Sequence, residues 1–191
     1  MATLKQIAVY CGSSSGTNEI YARQAHLLGE TLAQENIAIV YGGGKVGMMK
    51  HVADGALSHG GKVIGVIPTF LAKKEIMHDR ATDMIVVETM HERKHLMSEL
   101  CDGVIALPGG YGTMDELFEM LTWEQLGLHK KPIGLLNING FYDALIALIK
   151  TMTHEGFLKE SNRDLLLLSD QIPDLLDQMK SFTALYTPKW L

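Results

Sequence analysis

The stretch ALPGGYGTMDELFEM, residues 106–120, contains the transition that decides this fold. An apolar run ends at Pro108, three glycines follow within four positions, and a helical pattern opens at Thr113. A glycine-rich turn that leads from a strand into a helix N-terminus directs several backbone N–H groups toward one point. The stretch therefore predicts a strand, an anion-binding turn and a helix in succession. Carboxylates stand beside this predicted anion site, at Asp115, Glu116 and Glu119.

Outward from this stretch, short aliphatic runs alternate with helical patterns along the whole chain. Strands are predicted at residues 6–11, 37–42, 62–68, 84–88, 103–108 and 132–138, with 165–169 as a seventh. Helices are predicted at residues 19–35, 46–59, 89–101, 114–128, 141–153 and 172–182. Nearly continuous apolar strands are buried on both faces by helices. The sequence therefore predicts one α/β domain over residues 1–191, a Rossmann-like doubly wound parallel sheet with helices on both faces.

Composition excludes several classes of function. The 191 residues are 47% hydrophobic with a formal net charge of −5, as expected of a globular chain. No run of Lys or Arg stands out, so we expect no nucleic-acid partner. The N-terminus lacks a cleavable-signal pattern and no apolar run approaches ~18–20 residues, so we expect a cytoplasmic protein with no membrane partner. Cys11 and Cys101 lack metal or redox spacing and are interpreted as small buried residues, with a disulfide or a nucleophile as the alternatives.

Three predicted strands end in glycine or small polar turns. These turns are CGSSSG (11–16), YGGGKVG (41–47) and LPGGYGT (107–113). In doubly wound sheets, ligands bind at the carboxyl ends of the strands near the point where strand order reverses. If the three strands are neighbours, their turns line one crevice. The candidate nucleotide contacts on the first two turns are Gly12, Ser13, Gly43 and Gly44.

The two glycine-rich turns carry different signals. Residues 42–47 fit G-x-G-x-x-G, but the next predicted strand ends in Pro68 and Thr69, with no acid for a ribose hydroxyl, which disfavours NAD or FAD. Two interpretations of residues 42–47 remain: a tight turn with close backbone packing, or a turn that touches part of a nucleotide. Residues 108–113 lack the G-K-[ST] ending of a Walker A loop. Their glycines, the Thr113 hydroxyl and the helix dipole favour a phosphate.

The carboxylates after this turn have two interpretations. The segment from Thr113 to Glu116 fits a capping box, and Glu119 fits a solvated helix face. Alternatively, the ligand held by the turn develops positive charge during a reaction. Cleavage of an N-glycosidic bond does this, because the ribose passes through an oxocarbenium-like state that a carboxylate stabilises or supplies with an activated water.

The helix predicted at 89–101 adds a candidate partner. Arg93 shares its apolar side with Leu96 and Leu100, so its guanidinium needs a partner inside the protein. A structural salt bridge is one interpretation; holding a phosphate or orienting Glu116 is the other. His91 and His95 have metal-ligand spacing but no evident third ligand, so we expect surface residues and no metal.

Three segments together resemble a known family. MHERK (90–94), PGGYGTMDE (108–116) and YGGGKVGMM (41–49) are similar to segments of the Lonely-guy family of cytokinin-activating phosphoribohydrolases. The patterns of that family are M-x-x-R-K and P-G-G-x-G-T-x-x-E, and its members were long labelled lysine decarboxylases. The resemblance covers nearly the whole chain and includes the CGSSSG turn and residues 122–143.

The resemblance implies hydrolysis of the N-glycosidic bond of nucleoside 5′-monophosphates, releasing free base and ribose 5-phosphate. The implied substrates are N6-modified adenine nucleotides and AMP, and no cofactor is implied. By motif position, Arg93 and Glu116 are the catalytic pair. The implied phosphate cradle is Gly109, Gly110, Tyr111, Gly112, Thr113, Met114 and Asp115, and the residues that complete the substrate pocket are Glu75, Lys94 and Thr122.

The family also forms dimers with its sites near the interface. In this chain, apolar residues cover more than one face of the helix predicted at 114–128, which fits either a thick core or a homodimer. These residues are Leu117, Phe118, Met120, Leu121, Trp123 and Leu126. Two positions depart from the family pattern: Lys50 stands where a glycine is usual, and Asp115 where many members have Glu.

Two rival functions remain against the nucleotide hydrolase. A carrier that holds a phosphorylated ligand, such as a pterin cofactor, without breaking it would not need both Arg93 and Glu116. A pyridoxal-phosphate decarboxylase is disfavoured because the chain is short and no lysine stands out as the Schiff-base residue.

Overall fold

The computed structural model describes residues 3–72 and 77–183. The strands are β1 Gln6–Tyr10, β2 Ala38–Tyr41, β3 Val63–Pro68, β4 Asp83–Val87, β5 Gly103–Ala106, β6 Ile133–Leu136 and β7 Leu166–Ser169. The helices are α1 Glu19–Gln34, α2 Gly47–Ser58, α3 Thr69–Ala72, α4 Met90–Leu100, α5 Tyr111–Gln125, α6 Asp143–His154, α7 Glu160–Arg163 and α8 Ile172–Ser181. A 3-10 turn covers Ile138–Gly140. All seven predicted strands are present, and most helix ends lie within two residues of their predicted positions.

The strands form one parallel sheet in the order β4-β3-β2-β1-β5-β6-β7. Ile7 of β1 aligns with Ile39 on one side and with Gly103 on the other. Strand order reverses between β1 and β5, which makes that junction the switch point. The predicted doubly wound parallel sheet is confirmed.

Side chains alternate between the two faces of the sheet, and each face packs against its own layer of helices. On one face, the core combines strand residues with α1, α2 and α8 and includes Ile7, Val9, Ile39, Leu28, Leu32, Val52 and Leu175. On the other face, it combines strand residues with α4, α5 and α6 and includes Ala8, Val40, Val66, Met97, Leu117, Met120 and Ile149. The central strands are therefore buried on both faces, which is why their sequences are apolar without interruption.

Glycines allow α1 and α2 to approach closely. A Cβ at Gly29 would lie 2.1 Å from Val52 O, and one at Gly55 would lie 2.1 Å from His26 O. Either side chain would force the two helices apart. Within residues 3–72 and 77–183, no helix is both long and apolar enough to cross a membrane.

Candidate active site

The three glycine or small polar turns meet at the switch point, as expected from the sequence. They follow β2, β1 and β5, which are adjacent in the sheet. Gly12 donates its N–H to Pro108 O at 3.1 Å, and Met48 donates its N–H to Gly12 O at 3.1 Å. A Cβ at Gly47 would lie 2.3 Å from the carbonyl carbon of Ser13, so side chains are excluded where these turns touch. The turns therefore form one continuous rim.

Helix α5 begins earlier than predicted, and the predicted capping box at 113–116 is wrong. Gly110 is the N-cap, and no side chain among the described residues caps the helix. Thr113 is only 3% exposed and lies beneath Gly109, where a Cβ would come 2.1 Å from its Oγ1. Because the glycines let the helix start at Tyr111, Glu116 stands beyond the first turn and is free to pair elsewhere. The capping box that does form is at the start of α4, between Thr89 and Glu92.

Two glycines of this turn have open space where a side chain would stand. Among residues 3–72 and 77–183, a Cβ at Gly110 or Gly112 would meet nothing within 4 Å, and neither residue has a positive φ. The first backbone bond of α5 runs from Met114 N–H to Gly110 O at 3.1 Å. The N–H groups just before it have no partner inside the helix, and Tyr111 is 97% exposed. The open space above these two glycines can therefore admit an anion close to the backbone.

Arg93 and Glu116 form a buried pair between α4 and α5. Arg93 Nη1 donates to Glu116 Oε1 at 2.8 Å, and Arg93 Nε donates to Val66 O at 3.1 Å. Their side chains are 11% and 8% exposed. The guanidinium lies against Gly42, where a Cβ would come 2.2 Å from Nη2. The sequence left a pair with Glu116 as one alternative for Arg93, and the structure has that pair.

Burial is the main influence on the Glu116 carboxyl. It raises the pKa of Glu116 above the ordinary value of 4.5, although Arg93 opposes the shift. Burial also raises the pKa of neighbouring Tyr10 and Cys11, and Glu116 adds to both shifts. A carboxyl with a raised pKa beside a fixed cation is suited to accept a proton or to stabilise developing positive charge.

Lys94 lies next to this pair and is neutralised by two carboxylates. Its Nζ is 3.0 Å from Asp115 Oδ2 and 3.1 Å from Glu119 Oε1, and its side chain is 11% exposed. Burial lowers the pKa of Lys94, but hydrogen bonds and charge from the two acids raise it overall. Glu119 is therefore an ion-pair partner rather than a freely solvated residue. Thr122 donates its hydroxyl to Phe118 O at 2.7 Å.

One cavity lies at the turn after β5, and a second lies along α5. One of about 270 Å³ is lined by the turns after β1 and β5, including Gly12, Ser13, Gly109 and Gly110; Arg93 and Glu116 do not line it. The other, open and about 450 Å³, lies on the outer side of α5. Its lining residues are Met114, Asp115, Phe118, Glu119, Thr122 and Trp123.

The remaining candidate residues lie in several places. Gly43 and Gly44 contact residues 77–78 through their backbones, and Glu75 lies outside the described residues. His95 pairs with Glu99 at the surface. Within the described ranges, no group of three or more His, Cys, Asp or Glu is arranged to hold a metal ion.

Sequence reasoning missed one polar cluster near this site. It comprises Lys50, Asp54, His78 and Arg80, with Asp54 at its centre. The spacing of four residues between Lys50 and Asp54 on α2 is the one local signal that points to it. The departure of Lys50 from the family pattern is thus accommodated by an ion pair.

Comparisons with known proteins show the family to which the chain belongs. The family model described as "Possible lysine decarboxylase" matches residues 49–179. The chain is 43% identical to the Arabidopsis thaliana cytokinin riboside 5′-monophosphate phosphoribohydrolase LOG2, over 97% of this chain and 85% of the relative. The chain belongs to the Lonely-guy family. It is also 41% identical to the phosphoribohydrolase LOG of Oryza sativa subsp. japonica, over 95% of this chain and 75% of that one.

Solved structures of similar shape show that this family shares its fold with other proteins. A molybdenum cofactor binding protein from Rippkaea orientalis has a TM-score of 0.72 at 23% identity, covering 95% of this chain and 98% of that one. The Moco carrier protein of Chlamydomonas reinhardtii has a TM-score of 0.69 at 21% identity, covering 93% and 96%. At these identities the likeness shows the fold alone.

Proposed function

We propose that this Lonely-guy family protein hydrolyses the N-glycosidic bond of adenosine 5′-monophosphates, N6-modified or unmodified. The products are the free base and ribose 5-phosphate. The observation that carries the proposal is the buried Arg93–Glu116 pair, with 2.8 Å between Nη1 and Oε1, close to an open helix N-terminus. Relatives of 41–43% identity are named as phosphoribohydrolases of cytokinin riboside 5′-monophosphate, which supports this substrate class.

In this proposal the N-terminus of α5 binds the 5′-phosphate. Gly110 and Gly112 support the assignment because no described residue occupies the space where their side chains would stand. A phosphate can come into contact with the backbone N–H groups there, and the helix dipole adds positive potential. The phosphate contacts then orient the ribose from a remote, non-reacting group.

Glu116 acts on the ribose in this mechanism. As the bond between C1′ and the base nitrogen breaks, positive charge builds on the ribose, and the carboxylate stabilises it. Water adds its oxygen to C1′ and gives one proton to the carboxylate; the bond electrons leave with the base, and its nitrogen then takes up that proton, which restores the carboxylate. Arg93 holds Glu116 in place through its bonds to Oε1 and to Val66 O.

The other candidate residues have supporting roles. Lys94 adds a third charged side chain to the site. Its ion pairs with Asp115 and Glu119 fix the position of its ammonium group. Thr122 lines the open cavity on the outer side of α5, along with Asp115. We keep Glu75 as a substrate-binding candidate on the resemblance alone.

The assembly and location are also proposals. Leu117 and Met120 are buried, whereas Phe118 is 36% exposed and Leu126 is 45% exposed. This second apolar face of α5 supports a homodimer. Cys11 and Cys101 are both free thiols, which supports the reducing cytoplasm as its compartment. We further propose that residues 1–191 act as one hydrolase domain.

The test compares three substrates with the purified protein: AMP, N6-isopentenyl-AMP and adenosine. We expect chromatography to detect free base from at least one monophosphate and none from the nucleoside, because the nucleoside lacks the group that α5 binds. Equal release from adenosine would contradict the phosphate assignment. Tight binding of a monophosphate without release of base would support a carrier function instead.

A further inference from the structure

A second segment of the chain is fastened to the turn after β2, and that turn provides the surface against which Arg93 lies. The segment is residues 77–80, called here the 77–80 segment. Three successive contacts join it to the turn: His78 N–H to Gly43 O at 2.9 Å, an isolated antiparallel bridge between Gly44 and Met77, and Lys45 Nζ to Asp79 Oδ1 at 3.4 Å. Gly43 has a φ of +73°, a backbone conformation that glycine adopts readily and that other residues rarely adopt.

Asp54 of α2 anchors this segment from below. Its side chain is 15% exposed and contacts basic side chains from α2 and from the 77–80 segment. Lys50 reaches it from one turn earlier on α2, and Arg80 bonds to its Oδ1 from the 77–80 segment. His78 Nε2 stands 3.5 Å from the same Oδ1. Burial alone would raise the pKa of Asp54, but these cations and hydrogen bonds hold it below its ordinary value.

His78 connects Asp54 to the turn. Its side chain is 5% exposed, and burial lowers its pKa, which favours the neutral ring. The ring Nδ1 accepts a hydrogen bond from the backbone N–H of Arg80 at 3.2 Å. The neutral ring therefore carries its proton on Nε2, which faces Asp54. The ring meets the Tyr41 ring edge-on, with centroids 6.4 Å apart. Tyr41 is the last residue of β2 and immediately precedes Gly42.

We propose that Asp54 and His78 are positioning residues, which hold the turn at 42–44 where it seats Arg93 on Glu116. The tight fit at Gly42, with 2.2 Å between a built Cβ and Arg93 Nη2, makes the guanidinium sensitive to any shift of the turn. Neither Asp54 nor His78 bonds to Arg93 or Glu116, so both act through the backbone of the turn. The inference rests on the proposed hydrolase function, because the pair it positions is the proposed catalytic pair.

The pH dependence of the reaction distinguishes positioning from plain structural support. The charged and titratable groups that face Glu116 are Arg93 and Lys94 from α4, Asp115 from α5, Tyr10 at the end of β1, and Cys11 in the turn that follows β1. Arg93 is the foremost of the groups that lower its pKa. If the turn shifts and Arg93 moves away, the pKa of Glu116 rises further. The acidic limb of the kcat profile then moves to higher pH, which a general loss of stability does not cause.

The experiment measures kcat, KM and the kcat–pH profile on AMP for the wild type and two variants of Asp54. We expect Asp54→Ala to lower kcat by about 10- to 100-fold, the scale of an ångström misplacement. We also expect it to move the acidic limb to higher pH, with little change in KM. Asp54→Asn keeps an acceptor for His78 and Arg80, so its effects should be intermediate. It also serves as the test variant if Asp54→Ala does not fold.

The matched control removes a carboxylate far from the site. Glu35→Ala breaks the 2.7 Å ion pair with Lys180 between the end of α1 and α8 and should leave the kcat profile of the wild type unchanged. If a folded Asp54 variant has the kcat and the pH profile of the wild type, the positioning role of Asp54 is overturned, while the hydrolase function still stands. A wild-type protein that releases no base would overturn both.

Discussion

Gly112→Ala should make the protein more stable and less active at the same time. Gly112 is the second residue of α5, its φ is not positive, and a Cβ there meets no atom of the described residues within 4 Å. The substitution should therefore stabilise the fold by about 0.4–1 kcal/mol, mainly by restricting the unfolded chain. For a chain of this size, that corresponds to a rise in Tm of about 1–4 °C.

The same methyl group should weaken phosphate binding. It stands where we propose that the phosphate approaches the backbone, and a hydrogen bond to a charged group is worth about 1.5–3 kcal/mol. One such loss lowers kcat/KM for AMP by about 10- to 150-fold. Differential scanning calorimetry and a base-release assay measure the two effects on one sample.

A matched control separates the two effects. Gly55→Ala adds the same methyl group to a helix, but its Cβ would lie 2.1 Å from His26 O. It should lower the Tm. If Gly112→Ala has the kcat/KM of the wild type, the proposed placement of the phosphate is refuted. If Gly112→Ala has a lower Tm than the wild type, the space at Gly112 is not open to a methyl group.

Three further predictions concern titration and helix capping. Burial raises the pKa of Glu124 from 4.5 to about 8, so the free energy of unfolding should fall as pH rises between these values. In urea melts at pH 5 and 8.5, the wild type should lose roughly 2–5 kcal/mol between the two pH values, and Glu124→Gln should not show this loss. Parallel stability curves would contradict it. Thr89→Ala should cost about 1 kcal/mol in the same melts, because it removes the N-cap of α4. The kcat profile should have an acidic limb above pH 4.5, since Glu116 is ionised only above its raised pKa; a rate that is flat down to pH 4.5 would contradict this.

Local sequence patterns predicted the elements and the turns because periodicity and glycine placement act within a few residues. The alternation of apolar runs and helical patterns located all seven strands, and the turn after β5 was recognised from its glycines. The position of Arg93 on the apolar side of its helix indicated an inward guanidinium. The ion pair between Arg93 and Glu116 was one of two alternatives for Arg93, because the two residues are 23 positions apart and lie on different helices.

Other features depend on contacts that no local pattern specifies. The start of α5 was misplaced because Thr113 followed by Glu116 fits a capping box, whereas the flexible glycines let Gly110 become the N-cap. The link between Asp54 and His78 joins residues 24 positions apart and follows from the packing of the 77–80 segment on α2. The burial of the Glu124 carboxylate, with no hydrogen-bond partner among the described residues, likewise appears only in the folded structure.

The most direct test of the central claim compares the wild type with Glu116→Gln, measuring both AMP binding and base release. Gln keeps the size of the side chain and an oxygen that can accept from Arg93, but it cannot take a proton from water or carry negative charge. We predict that calorimetric AMP affinity stays within a few-fold, because the substitution leaves the proposed phosphate site on α5 intact, while release of adenine falls by about 10²–10⁴-fold. Release of adenine at the wild-type rate from Glu116→Gln would contradict the assignment of the Arg93–Glu116 pair as the catalytic centre.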